Sequence, residues 1–97
     1  MTQRAVIAEF EINPRDMEIL VTAAQQELSA VRDNEPECLR FDVLIFDEKK
    51  GTGAVVAVFA DQAAFDGHRE HSHVKDFFDA IKDIEVSWTV HRGDALI

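Results

Sequence analysis

The sequence has little cysteine and little positive charge. Cys38 is the single cysteine, so no disulfide can form within the chain. Lys and Arg number 10 against 19 Asp and Glu, and the formal charge of -9 opposes binding to nucleic acid or to an anionic membrane, which need clustered cations. The first residues carry Arg4 and Glu9 where a secretory signal needs an apolar run, so we expect a cytoplasmic protein.

Long apolar runs and low-complexity tracts are also missing. No stretch of the sequence approaches the roughly 20 apolar residues of a membrane span. No tract rich in Ser, Gly or Pro indicates a linker. A chain of 97 residues that is 46% hydrophobic has room for one core, and we therefore expect residues 1–97 to form a single domain.

Residue periodicity predicts the elements of the first half. Apolar and other residues alternate over 4–12, which is typical of a strand. Asn13 can cap a helix over 14–33, in which Pro14 suits the first position and Asp16 the acid of a capping box. A second alternating segment predicts a strand over 38–46.

The second half continues the same kind of pattern. The polar run 47–53 predicts a hairpin loop, and the nearly all-apolar run 54–60 predicts a strand covered on both faces. Asp61 can cap a short helix, and Ser72 can cap another with an apolar stripe. The alternating segment 85–91 predicts the last strand.

This order of elements predicts a fold and an assembly. Strand, helix, strand, strand, helix, strand is the order of the α+β ferredoxin-like fold, a four-stranded antiparallel sheet with the helices on one face. The other face would expose apolar side chains, among them Ile7, Leu44, Val56 and Val58. We therefore expect a homodimer that buries this face.

Three of the four histidines lie in one short segment, at His68, His71 and His73. They can be solvated residues at helix ends. Alternatively, His68 can act as a general base, since it lies one turn from the apolar Phe65 and its second ring nitrogen can meet solvent or a carboxylate such as Glu9.

A metal site is a further alternative, with His68 and His71 as ligands and His73 or Asp66 completing the set. No HExxH pattern or phosphate-binding glycine motif is present, so we expect neither metal nor organic cofactor. The fourth histidine, His91, is expected to point outward from the last strand.

Small residues in mid-sheet, Ala8 and Ala57, predict space beneath the helices for a small-molecule pocket. Aromatic residues at these spacings are also typical of an ordinary core. The candidate substrate-binding walls are Phe10, Phe41, Phe59, Phe65 and Phe77, with Trp88 as a further candidate. Cys38 has no neighbouring cation in the sequence and is expected to be an inert, buried thiol.

Two segments resemble the antibiotic biosynthesis monooxygenase family. The first is the run EPECLRFDVL at 35–44. The second consists of Phe59, Asp61, Ala64, Phe65, His68 and His73. The resemblance covers nearly the whole chain, although Ala57 and Phe59 stand where Glu and Trp are common in the family.

The resemblance implies a function. Many members are dimers of ferredoxin-like domains that oxidise quinols, anthrones or related polyphenols with molecular oxygen, without metal, flavin or haem. His68 and His73 match the family's paired-histidine segment, which implies a catalytic role for both. The protein would exclude water, orient the aromatic substrate and remove a phenolic proton.

Two other functions stay open. A second branch of the family is similar in the run CLRFDVL and in a tail with Arg92, Gly93 and Leu96, and it includes an isomerase of phosphorylated autoinducer-2. A non-catalytic dimeric module that binds a small molecule is the other alternative, because fold alone does not determine function.

Overall fold

The structure, a computed structural model, describes residues 2–96; Met1 and Ile97, which belong to the predicted domain 1–97, lie outside the described residues. A 3-10 turn, three helices and four strands follow one another along the chain. They are β1 (Gln3–Ile12), the 3-10 turn (Pro14–Asp16), α1 (Met17–Asn34), β2 (Cys38–Asp47), β3 (Thr52–Phe59), α2 (Gln62–His68), α3 (Ser72–Ala80) and β4 (Val86–Ala95). The predicted α+β ferredoxin-like fold is confirmed.

The four strands form one antiparallel sheet in the order β2-β3-β1-β4. Val6 pairs with Ala57 and Ala8 pairs with Val55, so these residues share one face of the sheet. Successive side chains of a strand point to opposite faces. The helices cover the face of Phe10 and Ala57, which are buried, and leave the face of Ile7 open.

The buried residues form two clusters between the sheet and the helices. One surrounds Phe10, Leu20 and Phe77, and the other consists of Ala57, Phe59 and Phe65. Burying side chains of this size stabilises the fold by about 1.5–3 kcal/mol each. The second cluster lies beside α2 and therefore positions the segment that carries the histidines.

Two helix starts differ from the predictions. The predicted helix over 14–33 begins as a 3-10 turn, in which the Asp16 N–H donates to the Asn13 carbonyl at 2.9 Å. The Asn13 side chain accepts a hydrogen bond from the Arg15 backbone N–H at 3.1 Å. Asp16 becomes the N-cap residue of α1 and makes no side-chain cap bond, so the predicted capping box is wrong. Ser72 is the first residue of α3 and not its cap, which is His71.

The hairpin between β2 and β3 is tighter than predicted, and β3 begins at Thr52 instead of Ala54. Gly51 has a φ of 74°, and a Cβ atom there would lie 1.9 Å from the Ile12 carbonyl oxygen. Only glycine adopts this conformation against another backbone without strain. β4 runs past the predicted end at His91 because β1 offers pairing partners as far as Gln3.

The open face of the sheet carries the apolar side chains that the sequence predicts there. Ile7 and Leu44 are 41% and 44% exposed, and the register places Val56 opposite Ile7 and Val58 opposite Ala5 on the same face. Two ion pairs flank these residues, Glu9 with His91 and Arg40 with Asp42. Among the described helices, none combines the length and apolarity that a membrane crossing demands.

Candidate active site

A cavity of about 350 Å³ opens between the sheet and the helices. Its volume lies at the lower end of the range of small-molecule sites, which is about 300–1,000 Å³. Both buried clusters contribute to its wall, Phe77 from one and Phe59 from the other. Most of the lining is hydrophobic, and this suits an apolar or aromatic ligand.

Four of the five predicted wall residues line the cavity, as do Ala8, Ala57 and Trp88. The four are Phe41, Phe59, Phe65 and Phe77. Phe10 is not among the lining residues. It is 3% exposed and packs edge-on against Trp88, with ring centroids 6.0 Å apart, and it also lies under Gly53, where a Cβ atom would come within 2.4 Å of its ring.

His68 is the last residue of α2 and borders this cavity. Asp61 fixes the start of this short helix by accepting a hydrogen bond from the Ala64 N–H at 2.8 Å. The His68 ring then lies among aromatic side chains, 5.0 Å from the Phe59 ring and 6.1 Å from the Phe41 ring, measured between centroids. The predicted histidine therefore reaches the predicted pocket.

Glu35 joins His68 to His73. Both carboxylate oxygens of Glu35 lie 3.0 Å from His68 Nδ1, and Oε2 lies 2.5 Å from His73 Nε2. Glu35 is buried, with 5% of its side chain exposed, and the two histidines are largely buried, each with 12% exposed. His73 itself is not among the cavity-lining residues, and its hydrogen bond to Glu35 links it to His68.

These contacts select the tautomers. A carboxylate accepts hydrogen bonds, so His68 presents Nδ1–H and His73 presents Nε2–H to Glu35. A neutral His68 then keeps its lone pair on Nε2, the nitrogen that Glu35 does not contact. Holding a neutral imidazole in one tautomer is how a carboxylate prepares a histidine to accept a proton.

The family model described as "Antibiotic biosynthesis monooxygenase" matches residues 4–80. The chain belongs to this family. No curated protein matches the sequence significantly.

Solved structures of similar proteins have the same fold as this chain. A candidate antibiotic biosynthesis monooxygenase from Caulobacter crescentus has a TM-score of 0.90 at 18% identity, with 99% of this chain and 92% of that chain covered. A Pseudomonas aeruginosa protein has a TM-score of 0.84 at 19% identity, with coverages of 100% and 97%. A further antibiotic biosynthesis monooxygenase has a TM-score of 0.81 at 24% identity, with coverages of 97% and 99%.

The histidine segment differs in detail from its prediction. The prediction that Glu9 is a carboxylate partner of His68 is wrong. Glu9 lies on the open face, where its Oε2 is 2.9 Å from His91 Nε2. The chain turns between α2 and α3, so His68 ends one helix and His73 lies in the next. His71 stacks on His73 with ring centroids 4.9 Å apart instead of pointing freely into water.

The metal set predicted from spacing is also not assembled. Asp66 accepts hydrogen bonds from Gln62 and Arg69. The side chains that could together hold a metal ion are instead Glu35, His68 and His73, whose ligand atoms lie within 4.8 Å of one another. In the structure His68 Nδ1 and His73 Nε2 hydrogen-bond to the Glu35 carboxylate.

Two acidic residues of the site were not predicted. Glu35 enters the sequence prediction only as part of the EPECLRFDVL run that resembles the family. No sequence prediction includes Glu27. Glu27 lines the cavity and is 9% exposed. A signal existed in the sequence, because Glu27 falls at helical spacing among buried Leu20, Ala24 and Val31.

Burial decides the chemistry of Glu27 and of Cys38. Burial, helped by the nearby negative charge of Glu35, raises the pKa of Glu27 to about 7. Burial and, to a lesser extent, the same carboxylate raise the pKa of Cys38 to about 11, although a backbone hydrogen bond at Arg40 opposes this. Little Cys38 thiolate therefore exists at neutral pH, as expected for an inert thiol.

Proposed function

We propose that this protein is a cofactor-independent monooxygenase that oxidises a quinol, anthrone or related polyphenol with molecular oxygen. The supporting observation is His68, which borders an aromatic cavity while Glu35 holds its Nδ1–H. Family membership supports monooxygenase chemistry in general. The substrate class rests on the aromatic lining and on this base.

In this proposal the substrate supplies the electrons. His68 Nε2 accepts a phenolic proton, and the phenolate that results donates electrons to oxygen. For an anthrone, the ring CH₂ group becomes a carbonyl, and its two hydrogens leave with the second oxygen atom as water. The Glu35 carboxylate stabilises the imidazolium that forms on His68, and the apolar walls exclude bulk water.

Oxygen consumption tests the proposal. An oxygen electrode should record substrate-dependent uptake with anthrones or dihydroxynaphthalenes, and mass spectrometry should find one atom of ¹⁸O in the product. Both should persist in metal-free buffer with chelator. Absence of uptake across such a panel contradicts the proposed monooxygenase.

We also propose that residues 1–97 act as one domain and that two copies pair through the open faces of their sheets in the cytoplasm. β4 lies beyond the family match at residue 80 yet pairs with β1 along its length, which supports a single unit. The exposed Ile7 and Leu44 support pairing. Light scattering should give about twice 10.9 kDa, and Val56→Asp should give monomers, whereas Ile19→Asp on α1 should not.

A second candidate is an isomerase of a phosphorylated sugar such as phosphorylated autoinducer-2. Arg69 and Arg92 both line the cavity and could bind a phosphate, although Arg69 also pairs with Asp66. Arg40 lies on the open face, paired with Asp42. A sugar phosphate that raises the melting temperature and is isomerised without oxygen uptake would favour this candidate. Thermal shifts without any turnover would favour a binding module.

A further inference from the structure

The cavity contains an acidic side chain that the proposed mechanism does not use. Glu27 lies on the face of α1 that packs against the sheet, four residues from the buried Ala23 and Val31. It is 9% exposed and belongs to the cavity wall. Acidic residues are rarely buried to this degree without a partner, so its position needs an explanation.

Glu27 has an unsatisfied hydrogen-bonding atom. Its Oε2 is buried and finds no hydrogen-bond partner among residues 2–96. A buried polar atom left without a partner destabilises the protein. The other polar or charged residues of the cavity wall are His68, Arg69 and Arg92. None of them makes a hydrogen bond or ion pair with Glu27 in the part of the chain that the structure describes.

The protonation of Glu27 suits contact with a neutral ligand. Burial and the Glu35 charge raise the pKa of Glu27 to about 7, so the protonated form is well populated near neutral pH. A protonated carboxyl group both donates and accepts hydrogen bonds. It can therefore pair with a hydroxyl group or with a carbonyl oxygen.

We propose that Glu27 is a ligand-binding residue that selects aromatic molecules carrying a hydroxyl or carbonyl oxygen, by hydrogen bonding to that oxygen within the cavity. The aromatic class of the ligand rests on the proposed function, whereas the need for an oxygen follows from the unpartnered carboxyl. Such a ligand would satisfy Glu27 while its rings contact Phe59 and Phe77. An apolar ligand of the same shape would leave the carboxyl buried and unpaired.

Binding of two matched ligands tests this. Isothermal titration calorimetry at pH 6 compares 2-naphthol with 2-methylnaphthalene, which differ in one hydroxyl against one methyl group. Wild type should bind 2-naphthol roughly tenfold more tightly or better, since about 1.4 kcal/mol corresponds to tenfold. Glu27→Leu should lose this preference, and Glu27→Gln, which keeps a donor and an acceptor, should retain most of it.

Control variants separate this inference from the proposed function. Glu18→Leu removes an exposed acid from the same helix and should keep the preference. His91→Ala, which changes a histidine on the open face and outside the cavity wall, should also keep it. Naphthol selectivity in a protein that consumes no oxygen with any substrate would contradict the monooxygenase and leave the role of Glu27 standing.

The following results would overturn the role of Glu27. The first is a wild type that does not discriminate between the two ligands, or binds neither of them. The second is full preference in Glu27→Leu, with circular dichroism confirming its fold. Loss of the preference in His68→Ala but not in Glu27→Leu would assign the ligand oxygen to His68. Where Glu27→Leu fails to fold, unchanged selectivity in Glu27→Ala overturns the proposal in the same way.

Discussion

Two histidine–glutamate pairs lie on opposite faces of the same sheet. His68 and Glu35 lie 3.0 Å apart under the helices, and His91 and Glu9 lie 2.9 Å apart on the open face. The first pair is 12% and 5% exposed, whereas the second is 58% and 48% exposed. Nearly equal distances thus occur in very different surroundings.

The difference shows that burial, more than distance, determines how strongly the two side chains of a pair depend on each other. Water screens the outer pair, and exposed ion pairs of this kind contribute about 0–1 kcal/mol. The inner pair has lost most of its water, so Glu35 must be satisfied by His68 and His73. Only this pair borders a cavity that can hold a substrate.

The largest expected effect is on turnover. His68→Ala should lower oxygen uptake by roughly a hundredfold or more, because a positioned general base typically contributes that much. His91→Ala, which removes the histidine of the outer pair, should change uptake less than about twofold in a protein that remains correctly assembled. Equal losses in the two variants would show that the inner pair has no special role.

Full activity in His68→Ala together with an inactive His73→Ala would transfer the base to His73. Single-variant rates, measured with the same substrate and at the same pH, decide between the two histidines.

The next effect concerns Glu27, a buried carboxyl on the inner side without a histidine partner. Its pKa rises from 4.5 to about 7 on folding, so between these pH values the folded chain binds more protons than the unfolded chain. Stability should therefore fall as pH rises through this window, by roughly 3 kcal/mol in total. Glu27→Gln should lack this component.

Urea unfolding of wild type and Glu27→Gln between pH 4.5 and 8 measures the difference. The charged groups near Glu27, which are Glu35, His68, Arg69 and Arg92, are present in both proteins, so their own titrations largely cancel. Parallel stability curves would contradict the raised pKa of Glu27.

A smaller effect should follow from removing the acid of each pair. Glu35→Ala leaves two buried imidazoles without their acceptor and should destabilise the fold by about 2 kcal/mol. Glu9→Ala should cost less than about 1 kcal/mol when both proteins are compared as the same oligomer. Guanidinium unfolding at pH 7 compares them, and a larger loss in Glu9→Ala would reverse the order of the two pairs.

The smallest effect concerns salt. The outer pair of Glu9 and His91 is accessible to ions, whereas the inner pair is not. The stability difference between wild type and Glu9→Ala should therefore shrink in about 1 M NaCl, because salt screens exposed charges much more strongly than buried ones. The difference between wild type and Glu35→Ala should persist, and melting curves at low and high salt measure both.

Sequence patterns were sufficient for the fold because each element carries a strong local signal. The alternation of β1, the apolar run of β3 and the Asp61 cap of α2 each identify an element without knowledge of its neighbours. The finer features depend on neighbours. The tight turn at Gly51, for example, is required by the approach of Ile12, which lies far away in the sequence.

The site was predicted in part for the same reason. His68 could be chosen because Phe65, one turn earlier, indicates the buried side of a short helix. Its partner could not, since Glu35 is 33 residues away and only the packing of α1 against β2 and α3 brings it near. Glu27 carried a periodic signal, but periodicity does not tell a buried acid from one at the edge of a helix face.

The Glu35 junction also determines when the site exists. Its three side chains come from the end of α1, the end of α2 and the start of α3, and are 33 and 38 residues apart along the chain. Both of these loops must be closed before the junction can exist. A transient opening of α2 or α3 would therefore separate the three side chains even while the sheet stays paired. A bound ligand would stabilise the closed state against these openings. Amide hydrogen exchange should then slow first in α2 and α3.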